Sequence, residues 1–421
     1  MRIRSLTYFL NPGWPLDEAA LGRASEFAAA ATRALVDAGY EVQTARLACP
    51  PFSHLLPDGS PADLARLAQA LEAAAAQAGF SYVSLGPALP ERLETYTWIP
   101  AALAATQNAF FSGALTGADG AISLPAVRAS AQVIQQAAGI SPDGFANLRF
   151  AALANVPAGS PFFPAAYHTG GEERFAIATE AADLAVNAFS GAASLADARR
   201  RLVEAMEQHA QVICGAVAGL AGAAGLAGAA GLAGAAGLAG PRFGGIDYSL
   251  APFPDEAVSL GTAMERLGVS ALGLHGSLAA AAILAETMDR ASFPRAGFSG
   301  LMLPVLEDAT LARRAAEGTL GVKDMLLYSA VCGTGLDTLP LPGDANAGQL
   351  APLLLDLAAL ACRLNKPLTA RLMPIPGKRA GDLTGFDFAF FANSRVLALE
   401  SAPLEGFLAG EERFHLQSRK A

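Results

Sequence analysis

The chain has 421 residues, 52% hydrophobic and only 16% charged, apolar enough to bury a large core and so not intrinsically disordered. Lys and Arg number 29 against 38 Asp and Glu, a formal charge of −9, so nucleic acid and anionic membrane are not expected partners. The four cysteines (Cys49, Cys214, Cys332, Cys362) form no CxxC pair, which argues against a disulfide framework or structural zinc and points to a reducing, cytoplasmic setting.

Residues 2–10 predict a first strand, broken by Asn11-Pro12-Gly13 and lacking the apolar run and cleavage site of a signal peptide. Leu16, Ala20, Phe27, Ala31 and Leu35 mark one face of a helix that Gly39 ends. Tyr40–Thr44 alternates as a strand. Ser60-Pro61 supplies an N-cap and an N1 proline for a helix whose face is Leu64, Leu67, Leu71 and Ala75. Further strands are expected at 80–85 and 148–154, and a long helix from about Leu195.

That helix runs toward a segment, residues 212–240, without any charge. From Gly219 it repeats Gly-Leu-Ala-Gly-Ala-Ala. Ala and Gly gain little from entering hydrocarbon, and a period of six suits neither helix nor strand. We therefore expect a low-complexity insertion at 219–240, not a membrane span. Beyond it, strands are expected at 244–250, 299–305, 367–373 and 395–399. Helices are expected near 254–267, 276–289, 308–317, 321–328 and 347–364. Such alternation implies parallel strands with crossover helices, and about ten strands suit a closed barrel or a very wide sheet.

Four peptides carry a resemblance: Asn155–His168 (NVPAGSPFFPAAYH), Phe243–Pro252 (FGGIDYSLAP), Ser329–Asp337 (SAVCGTGLD) with Leu341-Pro342-Gly343-Asp344 behind it, and Pro374–Asp382 (PIPGKRAGD). In this order they resemble the domain-of-unknown-function family 711, also called uncharacterised protein family 0210. The resemblance spans most of the chain, with the repeat as an insertion. It implies one domain with an α/β fold like that of pyruvate formate-lyase, a ten-stranded barrel of two five-stranded parallel halves. It implies no particular reaction. Glycyl radical enzymes carry Arg-Val-x-Gly-aromatic near the C-terminus, where this chain has Arg395-Val396-Leu397-Ala398-Leu399. A stored radical needs a Cα that flattens without a β-carbon, and Ala398 has one, so no glycyl radical is expected.

By the same resemblance, Cys332 takes the place of the reactive loop cysteine of those enzymes; the alternative is a buried structural thiol. Asp247 and Asp337 are candidate acid–base groups, and Asp247 with Asp344 a candidate Mg²⁺ or Ca²⁺ site; capping and turn formation are the alternatives. Asn155, Ser160 and His168 share a loop that Pro and Gly make rigid. Arg371 and Lys378 are candidates to pair with a substrate carboxylate or phosphate. The first reading is an enzyme, or former enzyme, binding a small anionic metabolite inside a barrel. The second is a catalytically silent metabolite sensor or partner-binding protein. A homo-oligomer joined through apolar surface or the repeat is a third.

Overall fold

The computed structural model describes residues 1–220 and 240–418. The repeat therefore lies outside the described residues, except for Gly219, Leu220 and Gly240 at its ends.

The strands are β1 (Arg2–Phe9), β2 (Ala45–Ala48), β3 (Tyr82–Ala88), β4 (Ala109–Ala114), β5 (Ile122–Ser123), β6 (Phe150–Ala154), β7 (Arg174–Glu180), β8 (Arg242–Ala251), β9 (Gly335–Pro342), β10 (Leu368–Ile375) and β11 (Arg413–Phe414). Nine of them form one sheet in the order β8-β7-β1-β2-β3-β4-β6-β10-β9, and β5 forms a separate two-stranded sheet with β11. Strands β1, β2, β3, β4 and β6 run parallel to one another. So do β7 with β8, and β10 with β9. The two sets meet antiparallel, at β1–β7 and at β6–β10. Chain from both sides of the repeat thus enters one sheet.

Twelve helices accompany it among the described residues. Before the repeat these are α1 (Glu18–Asp37), α2 (Phe52–Leu55), α3 (Pro61–Gln77), α4 (Ile99–Ala105), α5 (Leu124–Ala138), α6 (Ala182–Ser190) and α7 (Leu195–Val217). After it come α8 (Leu260–Arg266), α9 (Ser277–Asp289), α10 (Ala309–Glu317), α11 (Val322–Tyr328) and α12 (Ala347–Leu364). Their starts follow local chemistry. Ser60 caps α3 by accepting from Asp63 N, with Pro61 in its first turn. Asn346 and Gln349 cap α12 reciprocally. Helix α12 is the one described helix long and apolar enough to cross a membrane, with mean hydropathy 1.4; it packs instead on α5, β6 and β10.

The two faces of the sheet bury different sets. Phe150, Ala152 and Ala154 of β6, and Phe175 and Ile177 of β7, join the large core under the helices. Their neighbours Ala151, Leu153 and Ala176 pack the opposite way, into small clusters. Strand alternation produces this division. The inner clusters gather on the loop after β6. Phe163 and Ala166 pack with residues of β1, β2, β4 and β7, and Phe162 with Ala178, Ala251 and Met302. Thr7 Oγ1 and Ser84 Oγ hold the same loop by its carbonyls, at Pro161 O (2.9 Å) and Ala166 O (2.6 Å). The sheet is therefore curled around this loop.

The expected ten-stranded closed barrel needs correction on one point: the ladder has nine strands and is not continuous between β8 and β9. Residues 294–305, expected as a strand over 299–305, touch both edges without pairing fully with either. Ala296 N donates to Ile246 O and Met302 N to Ser249 O, while Val305 N donates to Asp337 O. Gly297 (φ 58) and Ser299 (φ 41) adopt left-handed conformations that interrupt the pleat, and Pro304 has no N–H to give. Residues 395–399 do not form a strand either: Leu397 N donates to Pro340 O and Val396 N to Asp382 O, and a single antiparallel bridge joins Arg395 to Leu383. The strand expected at 40–44 begins later, at Ala45. Strands β4, β7 and β9 were not foreseen. Pro340 and Pro342 disguised β9, and its place at the end of the ladder tolerates them.

Candidate functional site

Charged residues placed within apolar strands have few places to go. On β10, Leu368, Ala370 and Leu372 face the helices, so Thr369 and Arg371 face inward. On β2, Leu47 faces out and Arg46 in. These residues, with Arg4 of β1, Asp337 of β9 and Glu307 just before α10, line a cavity of about 100 Å³. Much of its remaining wall is aromatic, with Tyr82, Phe110, Phe162, Phe163, Phe298 and Phe388, while Gln43, Thr44 and Thr334 add neutral polar groups.

Most of the charge is internally paired. Arg371 donates Nε to Asp337 Oδ1 at 2.6 Å and Nη2 to Glu307 Oε1 at 2.7 Å. Glu307 Oε2 accepts from Arg4 Nη2 at 2.7 Å. Arg4 Nη1 continues to Glu180 Oε2 at 3.1 Å, where Gln43 Nε2 also donates at 2.8 Å. Burial alone would lower the pKa of Arg371, but Asp337 and Glu307 hold it above its ordinary value. Burial pushes Asp337 up, with Glu307 adding to this and Arg371 opposing it.

Arg46 is the exception. It is 9% exposed. Its guanidinium lies between the rings of Tyr82 (5.4 Å) and Phe163 (5.3 Å), and Nε donates to Thr44 Oγ1 at 2.9 Å. Among the described residues, neither terminal nitrogen has a hydrogen-bond partner, and no carboxylate lies within ion-pair distance. Burial, then repulsion from Arg4, depresses its pKa. Guanidinium does not give up its proton under ordinary conditions. The side chain therefore keeps its charge in this setting.

Of the candidates drawn from the sequence, Arg371 and Asp337 come together in this cavity, as partners of each other. The others lie elsewhere. Cys332 is buried in the large core, not on the cavity. Its Sγ accepts from Gly335 N at 3.4 Å and its carbonyl from Lys366 Nζ. Asp247 is fully buried on β8 and accepts from Ser249 Oγ (2.6 Å), Phe298 N (2.7 Å) and Ser299 N (2.8 Å). It pins the 294–305 segment, and burial raises its pKa to about 6. Asp344 is exposed in the turn after β9. Among the described residues, no three His, Cys, Asp or Glu side chains converge as a metal site, so Asp247 and Asp344 gain no support as ligands.

Asn155 lines a second cavity of about 420 Å³ beyond the carboxyl ends of β3, β4 and β6, its Nδ2 3.7 Å from Cys362 Sγ. Ser160 is buried with no partner for Oγ among the described residues. His168 is buried beside Phe9, with Nε2 3.2 Å from Gly171 O, and burial lowers its pKa. Lys378 sits half-buried in the turn after β10. Sequence reasoning missed Arg4, Arg46, Glu180 and Glu307. One signal was available: a single charge inside Ala45-Arg46-Leu47-Ala48, a run otherwise fit for burial on both faces.

The family model described as Uncharacterised ACR (DUF711) matches residues 1–392. The chain is 34% identical to a UPF0210 protein of Pyrobaculum aerophilum over 266 residues, which cover 62% of this chain and 56% of that protein. It is 30% identical to a UPF0210 protein of Desulforudis audaxviator over 363 residues, 83% of this chain and 77% of the other. A UPF0210 protein of Oleidesulfovibrio alaskensis is 29% identical with the same coverage. The matches thus reach only about half the length of the Pyrobaculum protein but most of the other two. The chain belongs to the DUF711 (UPF0210) family.

Proposed function

We propose that this protein is a ten-stranded barrel, of the pyruvate formate-lyase type, that binds a small anion in its interior through Arg46. In this reading, residues 294–305 serve as an irregular tenth strand. The single bridges from Ile246 to Arg295 and from Pro304 to Asp337, both parallel, support it. They complete a second parallel set of five to match β1, β2, β3, β4 and β6. The reading is non-radical, since Ala398 stands where a radical glycine would be.

One observation carries the anion site. A largely buried guanidinium with no hydrogen-bonded counter-charge is costly unless an anion joins it, and among the described residues the two terminal nitrogens of Arg46 have no partner where they line the cavity. Flanking rings fix its plane and weaken competition from water. The test is thermal unfolding in acetate, propionate, phosphate and sulfate, for the protein and for Arg46→Met. A ligand that binds the native state raises the melting temperature with concentration. Stabilisation by at least one anion that Arg46→Met abolishes is expected. No Arg46-dependent stabilisation by any of them overturns the reading.

Catalysis is the second reading, and Asp337 favours it: a carboxyl group on the cavity wall whose pKa burial raises. Its engagement by Arg371 makes ligand binding the better-supported conclusion. Product analysis with any ligand the unfolding experiment finds separates the two.

A further inference from the structure

We infer that the anion taken by Arg46 is a short aliphatic monocarboxylate. The inference rests on the anion-site reading above and names its ligand class.

Charge comes first. Three guanidiniums line the cavity, Arg4, Arg46 and Arg371, against two carboxylates, Glu307 and Asp337. Beyond the lining, Glu180 accepts from Arg4 and pairs with Arg2, which also lies 3.6 Å from Glu41, so the surplus of one positive charge belongs to the lining residues themselves. One negative charge on the ligand neutralises it. A second would fall near Glu307 or Asp337 with no free cation to meet it, and unpaired charge in a water-poor space is strongly disfavoured.

Geometry comes second. Nε of Arg46 is committed to Thr44, and its guanidinium carbon lies over the rings of Tyr82 and Phe163. What remains is the planar edge carrying the two terminal nitrogens, the fork that matches a carboxylate in two parallel hydrogen bonds. Aromatic and aliphatic side chains, with Gln43, Thr44, Thr334 and Thr369, complete the wall, so the rest of the ligand meets mostly apolar surface.

Size comes third. The cavity is about 100 Å³, below the roughly 150 Å³ of an apolar cavity that takes up benzene. This space matches a chain of a few carbons more closely than an aryl carboxylate.

Calorimetric titration of the intact protein with propionate, benzoate, succinate, inorganic phosphate and propionamide tests the inference. Propionate is expected to bind about tenfold or more tighter than each of the others, and Arg46→Met to lose that binding by about tenfold or more. Arg46→Lys keeps the charge but not the fork and is expected to fall between. Tighter Arg46-dependent binding of phosphate, succinate or benzoate overturns the monocarboxylate inference and leaves the anion site standing. Propionamide binding as well as propionate overturns it too, by removing the charge. Absence of Arg46-dependent binding for every probe overturns both.

Discussion

Arg371 and Asp337 meet across neighbouring strands, Nε to Oδ1 at 2.6 Å, in the interior of the curled sheet. The pair continues through Glu307 to Arg4, so a line of alternating charge links β9 and β10 to β1 through space that no ladder crosses. The line supplies cross-bracing to the interior and cancels its own charge. Arg46 stands next to it and is not cancelled.

Removing the bridging carboxylate is therefore expected to be expensive. Glu307→Gln leaves Arg4 and Arg371 short of one negative charge in a buried setting, at a cost of about 3 kcal/mol. Urea unfolding at neutral pH measures it. A double-mutant cycle with Arg371→Met is expected to be strongly non-additive, because the second change removes a cation that the first stranded.

Arg46→Met is expected to do the opposite in the absence of ligand. Methionine keeps much of the apolar stem between Tyr82 and Phe163 and discards an uncompensated charge, which stabilises the protein by roughly 1 kcal/mol. Destabilisation in anion-free buffer would show that Arg46 is already satisfied in the empty protein.

Asp247 sets a pH dependence. Its pKa is raised to about 6 by burial, above the value near 3.9 of an exposed aspartate. The folded state therefore holds a proton that the unfolded state releases, and folding loses stability as pH rises from about 4 to about 6, by an order of 2–3 kcal/mol. Above that window the penalty is constant. Asp247→Asn is not subject to this loss. Unfolding free energies of the two proteins at several pH values are expected to diverge in favour of the variant across the window.

Gly297 lies under Asp247. A β-carbon there would stand 2.0 Å from Asp247 Oδ2, at φ 58. Gly297→Ala is expected to cost about 2 kcal/mol or more through strain and overpacking. It is also expected to speed hydrogen exchange at the amides of Phe298 and Ser299, which Asp247 now accepts. Unchanged exchange there would separate Asp247 from the seating of this segment.

Cys332→Ala is expected to leave anion binding at Arg46 unchanged, since Cys332 does not line the cavity. It removes one buried sulfur from the core, at a cost of about 1–2 kcal/mol. Calorimetry and unfolding on the same preparation check both.

Much of the helical frame was legible from residues close in sequence. Ser60-Pro61 marked the start of α3, and Leu195, Ala309 and Ala347 begin helices where the apolar spacing placed them. Strands were harder. Those with an apolar run, β1, β3, β6, β8 and β10, are evident in the sequence, whereas β9 hides behind its prolines and the regular strand expected over 299–305 is bent at Gly297 and Ser299. Of the site, Arg371 and Asp337 were anticipated, one as an anion ligand and one as an acid–base group. Their mutual ion pair was not, and neither was the placement of Cys332, Asp247 and Lys378 away from the cavity.

From sequence alone followed the α/β class, the caps and faces of the helices, and the family signature, because these depend on neighbours within a turn or a strand. The interior was decided by tertiary structure. Arg4 and Glu307 are 303 positions apart and share a hydrogen bond, and whether a buried charge finds a partner depends on which distant strands the curl of the sheet brings together. Arg46 differs from Arg371 in this respect only, and no local pattern records it.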